Sequence, residues 1–100
     1  MKVLMVCSGG MSSSMVVNAA KKEAEKEHFD LEIKSIGTGE FADEIKEGYD
    51  LALVAPQVRH RFPVFEELAK EANVPIELIP PKSYSPLGGK DLLEQIKKHL

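Results

Sequence analysis

Lys2-Val3-Leu4-Met5-Val6-Cys7-Ser8-Gly9-Gly10-Met11-Ser12-Ser13-Ser14-Met15 changes character twice within a few residues, and that change decides the fold. Lys2–Val6 is a short apolar, β-rich run. A small, polar loop follows, and from Ser12 to about Lys26 the apolar residues Met15, Val16, Ala19 and Ala20 recur at helical spacing. A strand that ends in a Gly/Ser loop and feeds straight into a helix aims several backbone N–H groups, and the positive end of a helix dipole, at one spot. Cys7, the only cysteine of the chain, stands at that spot.

The same alternation continues along the chain. Leu31–Ile36 alternates apolar and polar, as a half-covered strand does, Gly37-Thr38-Gly39 breaks it, and Phe41–Glu47 reads as a short helix. Leu51-Ala52-Leu53-Val54-Ala55 is continuously apolar, which suits a central parallel strand buried on both faces. Phe62, Phe65, Leu68, Ala69 and Ala72 mark a helix to about Asn73, and Pro75–Ile79 is the last strand, closed by Pro80-Pro81. Leu92, Leu93, Ile96 and Leu100 form one stripe of a final helix after the breakers Gly88-Gly89, and one of the later serines of the first loop is expected to cap the first helix.

The order β-α-β-α-β-α-β-α predicts an α/β fold. It is a single doubly wound domain over residues 1–100, with a four-stranded parallel sheet in the order 2-1-3-4 and helices on both faces. Ligands of such sheets bind beyond the carboxyl ends of the strands, at the switch point between the two central ones. Cys7 ends the first of these and Pro56-Gln57 the third, so topology and thiol point to the same place.

Composition narrows the function classes. One hundred residues, 43% of them hydrophobic, sustain one core without disulfides or metal staples. A formal net charge of −3 argues against nucleic acid as the main partner. A single cysteine suits a reducing compartment, and the longest apolar runs fall far below the roughly 20 residues of a membrane span. A cytoplasmic protein without direct membrane insertion is therefore expected. No Asp or Glu precedes Glu23, which leaves the surroundings of Cys7 free of local acids, as a bound dianion requires.

Gly9 and Gly10 permit the turns that gather successive N–H groups into an anion-binding nest. Ser8, Ser12, Ser13 and Ser14 add hydroxyl donors, and a thiol in that field is expected to ionise more readily than a free cysteine. A phosphatase of the low-molecular-weight tyrosine type needs an arginine six residues after its cysteine; here that residue is Ser13. Bidentate grip on phosphate and stabilisation of the hydrolytic transition state are thus missing. No second cysteine can resolve a disulfide, and no Gly-Lys-Ser/Thr pattern offers a nucleotide loop. What remains is a phosphate cradle beside a nucleophile that would hold a phosphoryl group until an acceptor arrives. The bland alternative is a receiver-like anion-binding module in which Cys7 is structural, or a degenerate phosphatase-like protein.

Val6-Cys7-Ser8-Gly9-Gly10-Met11-Ser12-Ser13-Ser14 resembles the phosphorylation loop of enzyme IIB in the bacterial phosphoenolpyruvate-dependent sugar phosphotransferase system, lactose/cellobiose/chitobiose family. Leu53-Val54-Ala55-Pro56-Gln57-Val58-Arg59 is similar to that family's third-strand segment, and the length, element order and position of Tyr84 agree. The resemblance implies a protein-phosphocysteine–sugar phosphotransferase. Cys7 would take a phosphoryl group from the phosphohistidine of enzyme IIA and pass it to a sugar, cellobiose or a related β-linked disaccharide, held on membrane enzyme IIC. It implies Ser8, Gly9, Gly10, Met11, Ser12, Ser13 and Ser14 as the phosphate cradle, and neither cofactor nor metal. Gln57 and Tyr84 are possible flanking residues, although Tyr84 is more simply read as packing the C-terminal helix. Arg59, His60 and Arg61 read as a solvated basic cluster, and His28 and His99 as surface residues at helix ends.

Overall fold

The structure, a computed structural model, describes residues 1–8 and 11–100 and the side chains of all of these except residues 11–13. Strands β1 (Lys2–Cys7), β2 (Glu32–Gly37), β3 (Leu51–Val54) and β4 (Ile76–Leu78) alternate with helices α1 (Met11–Lys26), α2 (Phe41–Glu44), α3 (Phe62–Glu71) and α4 (Gly89–Lys97). The sheet runs in the order β2-β1-β3-β4 and every neighbouring pair is parallel, as expected from the element order. Lys2 stands opposite Glu32 and Cys7 opposite Gly37 in one register, and Val6 stands opposite Val54 in the next.

Alternation along the strands splits the core into two layers. Val3 and Met5 of β1, with Leu51 and Leu53 of β3, pack against Val16, Val17 and Ala20 of α1 and Leu92 and Ile96 of α4. Leu4 and Val6, with Ala52 and Val54, face Phe41, Ile45 and Phe65 on the other side. The rings of Phe41 and Phe65 meet at 4.8 Å between centroids, tilted by 51°. Truncating either ring to alanine removes a contribution of about 3–5 kcal/mol.

Charge networks cover the two outer strands. On β2, Lys34 donates to Glu44 at 2.7 Å and the Tyr49 hydroxyl donates to the same Oε1 at 2.8 Å. The hydrogen bonds from Lys34 and Tyr49 hold the Glu44 carboxyl below the usual range. Burial, with the Glu44 contact, pushes the Tyr49 hydroxyl up to about 12. On β4, Glu77 accepts from Gln95 at 2.7 Å and pairs with His99 Nε2. Charged side chains along outer strands blunt the pairing tendency of exposed edges.

Three local expectations are corrected. Gly89 does not break the chain ahead of the last helix but begins it, buried at the crossing with α1. A Cβ there would stand 2.6 Å from the Ala19 carbonyl oxygen, so the residue is glycine because two helices approach closely. Helix α1 starts at Met11, so Ser12, Ser13 and Ser14 lie in its first turn and none of them precedes it as a cap. Phe41–Glu47 is one short α-turn, Phe41–Glu44, continued by a 3-10 turn over Ile45–Glu47 and stopped by Gly48 at φ 85°.

Candidate functional site

Cys7 closes β1, the strand beside the switch point, and only three residues separate it from the first residue of α1. The first turn of α1 carries no acid, so the dipole at its start is not offset by a local carboxylate. Beside it, the Ala55 N–H donates to the Val6 carbonyl at 2.9 Å, which fixes the end of β3 against the end of β1. Pro56 and Gln57 follow at once in a 3-10 turn over Pro56–Arg61.

The Cys7 side chain is 2% exposed. Its sulfur donates to the Ile36 carbonyl at 3.5 Å and lies 3.5 Å from the Ser35 hydroxyl oxygen. Both partners belong to β2. A carbonyl oxygen beside sulfur favours the protonated thiol, whereas a hydroxyl can donate to a thiolate. The resting geometry thus sets two opposing contacts against one atom.

Of the residues expected around the thiol, Ser8 is exposed immediately after β1, and Ser14 is exposed on α1. Gly9 and Gly10, and the side chains of Met11, Ser12 and Ser13, lie outside the described residues. Gln57 and Tyr84 come together: with Pro56, Arg59 and Pro81 they line one open groove of about 360 Å³ beyond the carboxyl ends of β3 and β4. Tyr84 also packs against both core layers, one of which includes Leu92 and Ile96 of α4. Arg59, His60 and Arg61 are exposed, and the Arg61 guanidinium lies 5.7 Å from the centre of the Phe65 ring.

Ser35 is the residue that sequence reasoning passed over. In a strand that alternates apolar and polar, a serine reads as one more polar position. The available signal was register: with Cys7 opposite Gly37, Ser35 is its diagonal neighbour on the same face of the sheet.

Among the described residues no three His, Cys, Asp or Glu side chains converge as metal ligands, and no helix is long and apolar enough to cross a membrane.

Comparison with known proteins bears on nearly the whole chain. The family model described as "PTS system, Lactose/Cellobiose specific IIB subunit" matches residues 2–95. The "PTS system oligo-beta-mannoside-specific EIIB component" of Bacillus subtilis (strain 168) is 29% identical over 94 residues, covering 94% of this chain and 90% of that protein. The "PTS system lactose-specific EIICB component" of Staphylococcus aureus is 38% identical over 60 residues. That match covers 60% of this chain and 10% of the longer protein. Among solved structures, the lactose-specific IIB component domain from Streptococcus pneumoniae superposes with a TM-score of 0.86 at 25% identity, over 99% of this chain and 96% of that one. The cellobiose-specific phosphotransferase IIB component protein from Borrelia burgdorferi gives a TM-score of 0.78 at 31% identity, over 99% and 90% of the two chains.

Proposed function

This chain belongs to the lactose/cellobiose-specific IIB subunit family of the PTS system, and from that premise we propose that it is a phosphocarrier whose acceptor atom is the Cys7 sulfur. The observation that supports this most is the position of Cys7, at the carboxyl end of a central strand and directly ahead of the start of α1. Phosphoryl transfer needs positioning and charge stabilisation more than covalent machinery, and a helix start and backbone amides supply both. The loop Ser8, Gly9, Gly10, Met11, Ser12, Ser13 and Ser14 is the proposed cradle, flanked by Gln57 and Tyr84.

In the proposed reaction the Cys7 thiol first gives its proton to solvent. Its sulfur then attacks the phosphorus of a phosphohistidine on enzyme IIA. The S–P bond forms as the P–N bond breaks, and the electron pair returns to the imidazole, which takes up a proton. In the second transfer a sugar hydroxyl, held by membrane enzyme IIC, attacks the same phosphorus: the O–P bond forms as the S–P bond breaks, the electron pair stays on sulfur as thiolate, and the hydroxyl proton passes to solvent. The sugar is proposed to be a β-linked di- or oligosaccharide, cellobiose or a relative of it, chosen by the membrane component. The related proteins named for lactose, cellobiose and oligo-β-mannoside support leaving that choice to the partner. Both partners would dock transiently over the carboxyl end of the sheet from the cytoplasmic side, across interfaces at the small end of the range.

A second reading is favoured by one observation, the 2% exposure of Cys7. In that reading the thiol is a core residue and the loop holds a free anion. Attack requires sulfur and phosphorus about 3–3.5 Å apart, so the buried sulfur must become reachable before it can react. One experiment separates the two. The protein is mixed with phosphoenolpyruvate, the general phosphotransfer enzymes and a lactose/cellobiose-type IIA, and its intact mass is taken. A gain of one phosphoryl group, absent in Cys7→Ala, is expected. Survival of the gain in Cys7→Ala overturns the assignment of the acceptor, and no gain in the wild type favours the anion-binding module.

A further inference from the structure

Cys7 has contacts of opposite sense with two consecutive residues of β2, and only one of them is a side chain. The Ile36 carbonyl, 3.5 Å from the sulfur, can accept a proton but never donate one, and its partial negative charge faces any thiolate formed there. The Ser35 hydroxyl, also 3.5 Å away, can do either. Ser35 is half-buried and borders two hollows open to solvent, one shared with Ser14, Asn18 and Lys21 of α1, the other with Gly39, Glu40 and Asp43. It therefore both touches the buried sulfur and lines these two hollows.

We propose that Ser35 is a positioning residue for Cys7. Its hydroxyl donates to the sulfur once the thiol proton has left, offsets the Ile36 carbonyl, and steadies the thiolate for attack. This rests on the phosphocarrier reading for its purpose, though not for its geometry. Ser35 keeps its own proton throughout. No bond to it forms or breaks, and the proton lost by the thiol goes to solvent. A hydrogen bond to a charged acceptor is worth more than one to a neutral group, so the contact strengthens as the sulfur ionises.

The test uses the intact protein, in which every thiol signal reports on Cys7 because no other cysteine exists. The rate of alkylation by iodoacetamide is followed from acid to alkaline pH in the wild type, Ser35→Ala and Ser35→Thr. The charged groups that share a hollow with Ser35 are Lys21 on α1, Lys34 on β2, and Glu40, Asp43 and Glu44 beyond it. All are retained in both variants, so a change reads the hydroxyl. Ser35→Ala is expected to move the titration upward by about 0.5–1 pH unit, a fall of about 3- to 10-fold in rate on the acid side. Ser35→Thr is expected to restore it.

An unchanged profile in Ser35→Ala overturns the proposal. So does an equal shift in Ser35→Thr, which would assign the effect to packing. Phosphorylation of the wild type by IIA is scored separately. If the wild type accepts no phosphoryl group while the alkylation shift is present, the phosphocarrier reading fails and the Ser35 assignment stands. If the wild type is phosphorylated and the variants titrate like it, the Ser35 assignment alone fails.

Discussion

Gly89, the first residue of α4, lies so close to Ala19 of α1 that an added Cβ would meet the Ala19 carbonyl oxygen at 2.6 Å and its carbonyl carbon at 2.8 Å. These two helices cover one face of the sheet, and Lys97 pairs with Glu27 at 2.5 Å across them. By helix propensity alone, Gly89→Ala would stabilise α4 by roughly 0.5–1 kcal/mol. Overpacking against backbone that cannot rotate away costs about 1–3 kcal/mol and wins. Gly89→Ala is therefore expected to lower the melting temperature by several degrees, read by circular dichroism. Melting at or above the wild-type temperature would show that the crossing relaxes at little cost.

His28 has the opposite problem. Two residues past the end of α1, His28 adopts φ 54°, and the Phe29 N–H donates to the Ala24 carbonyl at 2.8 Å, the bond that closes a Schellman turn. Helix α3 ends the same way, with Asn73 at φ 58° and Val74 bonded to Ala69 at 2.9 Å. Asparagine tolerates the left-handed region better than a bulkier side chain does, and glycine adopts it freely. His28→Gly is expected to raise stability by about 0.5–1 kcal/mol in urea unfolding, and Asn73→Gly by less. Equal or negative effects at both positions would rule out backbone strain at His28.

Glu77 makes the stability of the β4–α4 side depend on pH. Burial works against its ionisation, but hydrogen bonds from Gln95 and His99 outweigh it and hold the carboxyl below its ordinary range. A carboxyl of lower pKa in the folded state contributes stability that is present above its unfolded value, near 4.5. That contribution is lost as pH falls through the folded value. Between about pH 5 and pH 3 the wild type is expected to lose stability more steeply than Glu77→Gln. Urea midpoints at half-unit steps check this, and parallel curves for the two proteins would remove Glu77 from the account.

The candidate site was legible in the sequence to unequal degrees. Cys7 stood out because strand, loop and helix follow one another within 15 residues, and the switch point of a 2-1-3-4 sheet falls beside it. Gln57 was visible as the strand-end residue of the other central strand. That it shares a groove with Tyr84 was not, since nothing local joins the turn after β3 to the turn after β4. Ser35 was hidden for the same reason, 28 positions from Cys7 in the chain.

Periodicity determined by itself the element order and the parallel sheet, and loop chemistry with the single thiol gave the expectation that chemistry sits at the carboxyl end of that sheet. Each of these follows from residues that are neighbours along the chain. Only the tertiary structure decided that Ser35 and the Ile36 carbonyl contend for the Cys7 sulfur, that Gly89 is a point of helix contact rather than a break, and that Gln57 and Tyr84 line one groove. These depend on strand register and on the distance between packed helices. A shift of one residue or one ångström would abolish them while leaving the hydrophobic pattern unchanged.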